Sequence, residues 1–113
     1  MKNYTLYYKI KILIIKNMNE NSKLGILGIA CRANKLIFGT EQVINNIRKN
    51  KIYLVLLAKD SSENTKKKIT DKCKYYNILL NIEFTNEQLN KAIGKQNVMV
   101  VGVTDINFTN GLK

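Results

Sequence analysis

A chain of 113 residues, 45% hydrophobic and 24% charged, is long enough to bury one core without disulfides or a structural metal, and no second domain is expected. Nineteen lysines and arginines stand against eight acidic residues, and the net charge of +11 favours a polyanionic partner. Histidine and proline are absent, which removes the commonest general base and metal ligand and makes catalysis the less economical reading. Cys31 and Cys73 form no Cys-x-x-Cys pair. They read as small apolar residues inside helices of a reduced, cytoplasmic protein, with no zinc site or disulfide framework.

Residues 1–20 form an N-terminal extension whose status stays open. Its apolar run, Ile10 to Ile15, is too short to span a bilayer. It has a basic flank but lacks the small-residue cleavage site of a secretory signal. Alternation at Tyr8, Ile10, Ile12 and Ile14 suits an extra edge strand. A third reading places residues 1–17 upstream of the biological start, because Met18 sits just before the first well-formed element.

Residues 21–113 read as one α/β domain. Asn21 and Ser22 are good N-caps for a helix to about Asn34, with Leu24, Leu27 and Cys31 recurring at intervals of three and four. Gly25 and Gly28 inside it suggest close packing against a neighbour. Leu36 to Phe38 reads as a short strand, Gly39 as a turn, and Thr40 as the N-cap of a helix over about Glu41 to Asn50. Val43, Ile44 and Ile47 form that helix's buried stripe, which leaves Glu41, Gln42, Asn45 and Arg48 on the wet side. Ile52 to Ala58 has the nearly continuous apolar run of a strand buried on both faces.

Asp60, Ser61 and Ser62 then supply a turn and cap for a basic helix over about Glu63 to Tyr76. Its Lys66, Lys67, Lys68, Lys72 and Lys74 make it positive on most of its exposed surface, which reads equally as a solvated face, the usual fate of such runs, or as a functional basic surface. Leu79 to Phe84 reads as a strand, and Thr85 with Gln88 as a capping box opening a helix that Gly94 closes after Ile93. Val98 to Val103 is the last core strand, and Ile106 to Leu112 a short amphipathic tail. The alternation predicts a three-layer α/β/α sandwich with a mixed, mainly four-stranded sheet, whose strand order the pattern leaves unread.

Few motifs carry chemistry. Gly94-Lys95 is followed by Gln96 and so lacks the ending of a phosphate-binding P-loop, and no Gly-x-Ser-x-Gly surrounds Ser61 or Ser62. Asp60 lies at the carboxyl end of a buried strand, where α/β proteins often place ligands, but a turn residue capping the next helix is the stronger reading of that position. The junction Phe38-Gly39-Thr40-Glu41-Gln42 is more specific. A helix N-terminus offers unpaired amides and a positive dipole end to phosphates. A glutamate can accept from guanine's N1 and N2 edge, and glutamine can donate and accept in one plane. An ordinary strand-to-helix junction has the same polar first turn, so spacing alone leaves both readings open.

The runs Leu24 to Gly39, Thr40 to Arg48, Leu54 to Asp60 and Glu63 to Lys68, in that order, resemble the ribosomal-protein family of kink-turn RNA binders named for large-subunit proteins seven-Ae and thirty-e. The likeness is closest to its bacterial YlxQ-like branch and covers about Ser22 to Leu112. It implies a compact α/β/α sandwich that binds kinked RNA stems carrying tandem sheared G·A pairs. An RNA partner follows, ribosomal RNA among the candidates, with no enzyme activity, cofactor, metal, membrane or DNA partner, and a monomer is expected.

Position by position, the family's glycine and threonine match Gly39 and Thr40, its asparagine falls on Glu41, its glutamate on Gln42 and its lysine on Asn45. Gln42 can meet a guanine edge without the charge-assisted part of the contact, and Asn45 removes a cation near phosphates. The implied second surface is Gly94, Lys95, Gln96, Asn97 and Val98, with Lys95 for phosphate and Val98 for a splayed base. Arg32 and Lys35 are placed on the same side by analogy. In this reading the amides of Gly39 and Thr40, with Lys35, Asn45 and Lys95, hold phosphates, while Glu41 and Gln42 read guanines. The changes at 41, 42 and 45 motivate a second reading, a protein-interaction module of the same fold without specific RNA recognition. A third, a small enzyme acting near Asp60, lacks an accompanying base, metal cluster or nucleophile.

Overall fold

Each strand divides its side chains between two helical layers, as the period of two requires. In the computed structural model, which describes residues 20–113, five helices and four strands alternate: α1 (Glu20–Arg32), β1 (Leu36–Phe38), α2 (Thr40–Arg48), β2 (Leu54–Leu57), α3 (Glu63–Tyr76), β3 (Leu79–Asn81), α4 (Asn86–Ile93), β4 (Val100–Val103) and α5 (Ile106–Leu112). The alternating segment from Tyr8 to Ile14 and the Met18 start lie outside the described residues. The sheet order is β1-β4-β2-β3, with β4 antiparallel to both β1 and β2, and β2 parallel to β3. The mixed four-stranded sandwich is as expected.

Leu54, Leu56, Val101 and Val103 share one core with Leu27, Phe84, Leu89 and Leu112, beneath α1, α4 and α5. Val55, Leu57 and Val100 share the other with Val43, Ile44, Ile47 and Ile69, beneath α2 and α3. Each such side chain contributes roughly 1.5–3 kcal/mol by leaving water. Gly102 in β4 lets α2 and its following loop sit close to the sheet. A β-carbon there would lie 2.7 Å from Ile52 Cδ1 and 3.4 Å from Val43 Cγ2.

Several boundaries differ from the sequence reading. α1 begins at Glu20, so Asn21 and Ser22 lie in its first turn and not ahead of it. Close packing belongs to Gly28, whose β-carbon would meet Ala92 O at 3.1 Å; Gly25 faces open space. β2 keeps only Leu54–Leu57, although Tyr53 N–H and Ala58 N–H extend its bonding to Val103 O and Met99 O. β3 stops at Asn81 because that side chain turns to other partners. Its Nδ2 donates to Leu112 O at 2.8 Å and to Glu83 Oε1 at 2.7 Å, and its Oδ1 accepts from Glu83 N–H. Lys23 reaches the same carboxylate at 2.8 Å. Burial alone would raise Glu83, but the hydrogen bonds from Lys23 and Asn81 and the charge of Lys23 outweigh it and hold the carboxyl below its ordinary 4.5.

The helices end in a consistent way. Asn34, Asn50 and Asn77, just past α1, α2 and α3, adopt φ of 61°, 59° and 58°, and Gly94 closes α4 at 69°. Asparagine enters the left-handed region more cheaply than other side chains, which explains its use where glycine is common. Cys73 is buried in α3, which pushes its thiol up to about 11, and Cys31 is half-buried with its thiol donating to Ile93 O.

Candidate functional site

The strand β1 ends where its neighbour begins. Gly39 N–H donates to Val100 O at 2.9 Å, prolonging the ladder by one residue. The chain then turns at φ 93° and ψ 149°, a region essentially confined to glycine. Gly39 is therefore the N-cap of α2, Thr40 is its first helical residue, and no side chain caps the helix. This corrects the expectation that Thr40 is the cap: Gly39, held in the ladder, already occupies the capping position. Gly39's amide is also committed to Val100, so the amides offered by the helix start are those of Thr40, Glu41 and Gln42, which a helix cannot satisfy internally. Val43, Ile44 and Ile47 face the core as expected.

The exposed side chains of the first turns follow. Glu41 Oε1 lies 3.3 Å from Lys68 Nζ of α3, with the two side chains 72% and 59% exposed. Pairs this open are worth about 0–1 kcal/mol, so the carboxylate is held in place yet exchangeable. Gln42 is exposed. Asn45 Oδ1 accepts from Arg48 Nη1 at 3.4 Å, and Arg48 is the first cation along α2.

The loop before β4 lies against this junction. Lys95 Nζ stands 4.7 Å from the centroid of the Phe38 ring, a cation–π contact worth roughly 0.5–1 kcal/mol when exposed. Asn97 is exposed at φ 61°. Val98 is gripped at both backbone polar groups by one side chain: Asn90 Oδ1 accepts from Val98 N–H at 3.0 Å, and Asn90 Nδ2 donates to Val98 O at 2.9 Å and to Asn86 O at 2.7 Å. The adjacent strand end brings in two more helix starts. Ser62 Oγ caps α3 by accepting from Thr65 N–H, and Asp60 Oδ1 accepts from Asn86 N–H of α4 at 2.8 Å. Asp60 thus supports the start of α4, not that of the next helix α3. Its oxygen at that amide has a structural task.

The structure joins the start of α2 to the segment that carries Lys95, Asn97 and Val98 at two points, Gly39 N–H on Val100 O and Lys95 over Phe38; Thr40, Glu41, Gln42 and Asn45 follow from that junction along α2. Lys35 lies elsewhere. Its carbonyl accepts from Thr104 N–H and Oγ1, at the end of β4 remote from Val100. That puts Lys35 roughly 13 Å from Gly39, at about 3.3 Å per extended residue. Arg32 ends α1 and lines a groove of about 490 Å³ between α1 and α4, with Gly28, Gln88 and Lys91.

Two residues escaped the sequence reading. Asn90 is 7% exposed on a helix face with Leu89 and Ile93, and a polar residue on a buried stripe is the signal that could have exposed it. Lys68 is one of five lysines in α3, and only the packing of α3 on α2 singles it out. Among the described residues, no group of three or more histidine, cysteine, aspartate or glutamate side chains is placed to hold a metal. No helix among them is long and apolar enough to cross a membrane.

Comparison with known proteins bears on the same region. The model of the ribosomal protein L7Ae/L30e/S12e/Gadd45 family matches residues 21–112. The RNA-binding protein YlxQ of Bacillus subtilis (strain 168) is 45% identical over 87 residues, which is 77% of this chain and 87% of that protein. The RNA-binding protein YlxQ of Enterococcus faecium is 39% identical over 99 residues, 85% of this chain and 95% of its own length. Among solved structures, a protein of unknown function from Bacillus halodurans C superposes with a TM-score of 0.77 at 39% identity, covering 80% of this chain and 91% of that one. The Giardia lamblia 15.5kD RNA binding protein shares the fold alone, with a TM-score of 0.69 at 12% identity over 85% of this chain and 83% of its own.

Proposed function

Because the chain belongs to the ribosomal protein L7Ae/L30e/S12e/Gadd45 family, we propose that it is an RNA-binding protein, not an enzyme, whose ligand is a kinked, G·A-paired RNA stem. It works as a monomer in the cytoplasm, in association with ribosomal RNA. The observation that carries it is the meeting of the uncapped start of α2 with the loop 94–98, through the Gly39 to Val100 hydrogen bond and Lys95 over Phe38. The names of the YlxQ relatives support the same ligand class.

In this reading, the amides of Thr40, Glu41 and Gln42 and the positive end of α2 face a phosphate. Gln42 and Glu41 take guanine edges, Gln42 through its planar amide and Glu41 by exchanging Lys68 for base donors. Asn45 supplies a neutral donor nearby. Lys95 neutralises backbone charge from the other wall, Asn97 offers an exposed amide, and Val98, fixed by Asn90, gives an apolar surface for an unstacked base. The charge of +11 adds a sequence-independent attraction.

Affinity should be measured for a stem with tandem G·A pairs and for a plain duplex of equal length, across a salt series. Tighter binding of the kinked stem at every salt concentration is expected. Equal affinities with parallel slopes would refute specific recognition. A protein partner that co-purifies from nuclease-treated lysate, combined with that result, would favour the interaction-module reading.

A further inference from the structure

We infer that the RNA-contacting surface continues from the start of α2 across the seam onto α3, where Lys67 and Lys68 form a second phosphate-binding wall. This rests on the RNA-binding reading above and adds a surface to it. α2 itself carries no lysine or arginine before Arg48, so the cation seated against its first turn comes from another helix. That cation is Lys68, whose ammonium lies 3.3 Å from Glu41 Oε1. A solvated lysine face would have no fixed relation to the junction; here the packing of α3 against α2 sets one.

The rest of α3 narrows the choice of residues. Lys66 and Lys72 are half-buried, whereas Lys67 and Lys68 are exposed. Lys67 and Lys68 line a shallow hollow of about 270 Å³ with Asn64 and Asp71. Asn64 adds a neutral hydrogen-bonding group, whereas Asp71 opposes an anion and marks the edge of the surface. A base that draws Glu41 away from Lys68 brings its own sugar-phosphate backbone along. The ammonium released by Glu41 is then positioned to take a phosphate oxygen, so the exchange leaves neither charge unpaired. Lys74, exposed in the last turn of the same helix, lies about two turns farther along and outside this surface.

The test compares wild type with Lys68→Gln, with Lys67→Gln/Lys68→Gln and with Lys74→Gln as the control. The probes are the G·A-paired kinked stem and the plain duplex, titrated from low to moderate salt, with thermal unfolding to verify that each variant is folded. The slope of log affinity against log salt for the kinked stem should fall by about one for the single variant and about two for the double, and remain at the wild-type value for Lys74→Gln. If wild type prefers the kinked stem and the double variant keeps the full slope, the α3 surface is overturned while the RNA-binding reading stands. Equal loss in Lys74→Gln and Lys68→Gln would reduce the effect to net charge and also overturn it. If wild type shows no preference for the kinked stem, the underlying reading fails and the α3 surface falls with it.

Discussion

Replacing Asn90 with alanine tests the grip that shapes the loop before β4. The change removes the acceptor of Val98 N–H and the donor to Val98 O, while Asn86 O keeps its place in the α4 helix. At a net 0.5–1.5 kcal/mol for each hydrogen bond, losing the two to Val98 costs about 2 kcal/mol. Because Asn90 is 7% exposed, water does not readily replace the lost groups. In a domain of this size, that corresponds to a melting temperature lower by roughly 8–16 °C. Calorimetry reads the loss directly, and the same variant should show a smaller preference for the kinked stem because Val98 is released. Asn90→Asp sharpens the test. It retains an acceptor for Val98 N–H but sets a carboxylate oxygen against two carbonyls, so it should be destabilised at neutral pH and partly recover on acidification, when the protonated acid can donate. Wild-type stability for both variants at neutral pH would refute the assignment of the loop to this side chain.

Gly39→Ala should cost about 1–3 kcal/mol in chemical denaturation. Its new methyl meets nothing within 4 Å, so the whole loss is conformational; an unchanged midpoint would contradict that. On α1, Gly25→Ala should stabilise by about 0.5–1 kcal/mol, since it gains helix propensity in open space. Gly28→Ala should forfeit that gain against Ala92 O, and matching increases in melting temperature would show that the two sites are equivalent. The Glu83 pair predicts an acid limb. A carboxylate held below 4.5 in the folded state contributes stability that is fully present above that value and is lost as pH falls through the lower folded value. With its side chain 35% exposed, the screened contribution is about 0.5–1 kcal/mol. Glu83→Gln should therefore lower stability at pH 7 and flatten the decline below pH 4.5, as followed by thermal melts across pH; parallel wild-type and variant curves would count against it.

What the sequence by itself determined is the kind and order of the elements, because those depend on near neighbours. The span of α3, the Ser62 cap, the Thr85–Gln88 capping box and the Gly94 terminus all arise within a few residues and stand where the periodicity put them. β1 was equally legible as a short apolar run halted by glycine. The ends of β2, β3 and β4 were not, because apolar residues continue past the points where partners stop pairing: Ile52 packs without joining the strand, and Val98 is held by Asn90 instead. Tertiary structure alone decided that the last strand, β4, enters between β1 and β2, which carries the loop 94–98 to Gly39. The same geometry makes Gly39 the cap in place of Thr40 and commits its amide. It also sends Lys35 to the far end of β1 while bringing Lys68, 27 residues from Glu41 in the chain, against the first turn of α2. Residue spacing encodes which face of an element is wet; which wet faces meet is set by the packing of segments distant in the chain, and the candidate site is made of such meetings.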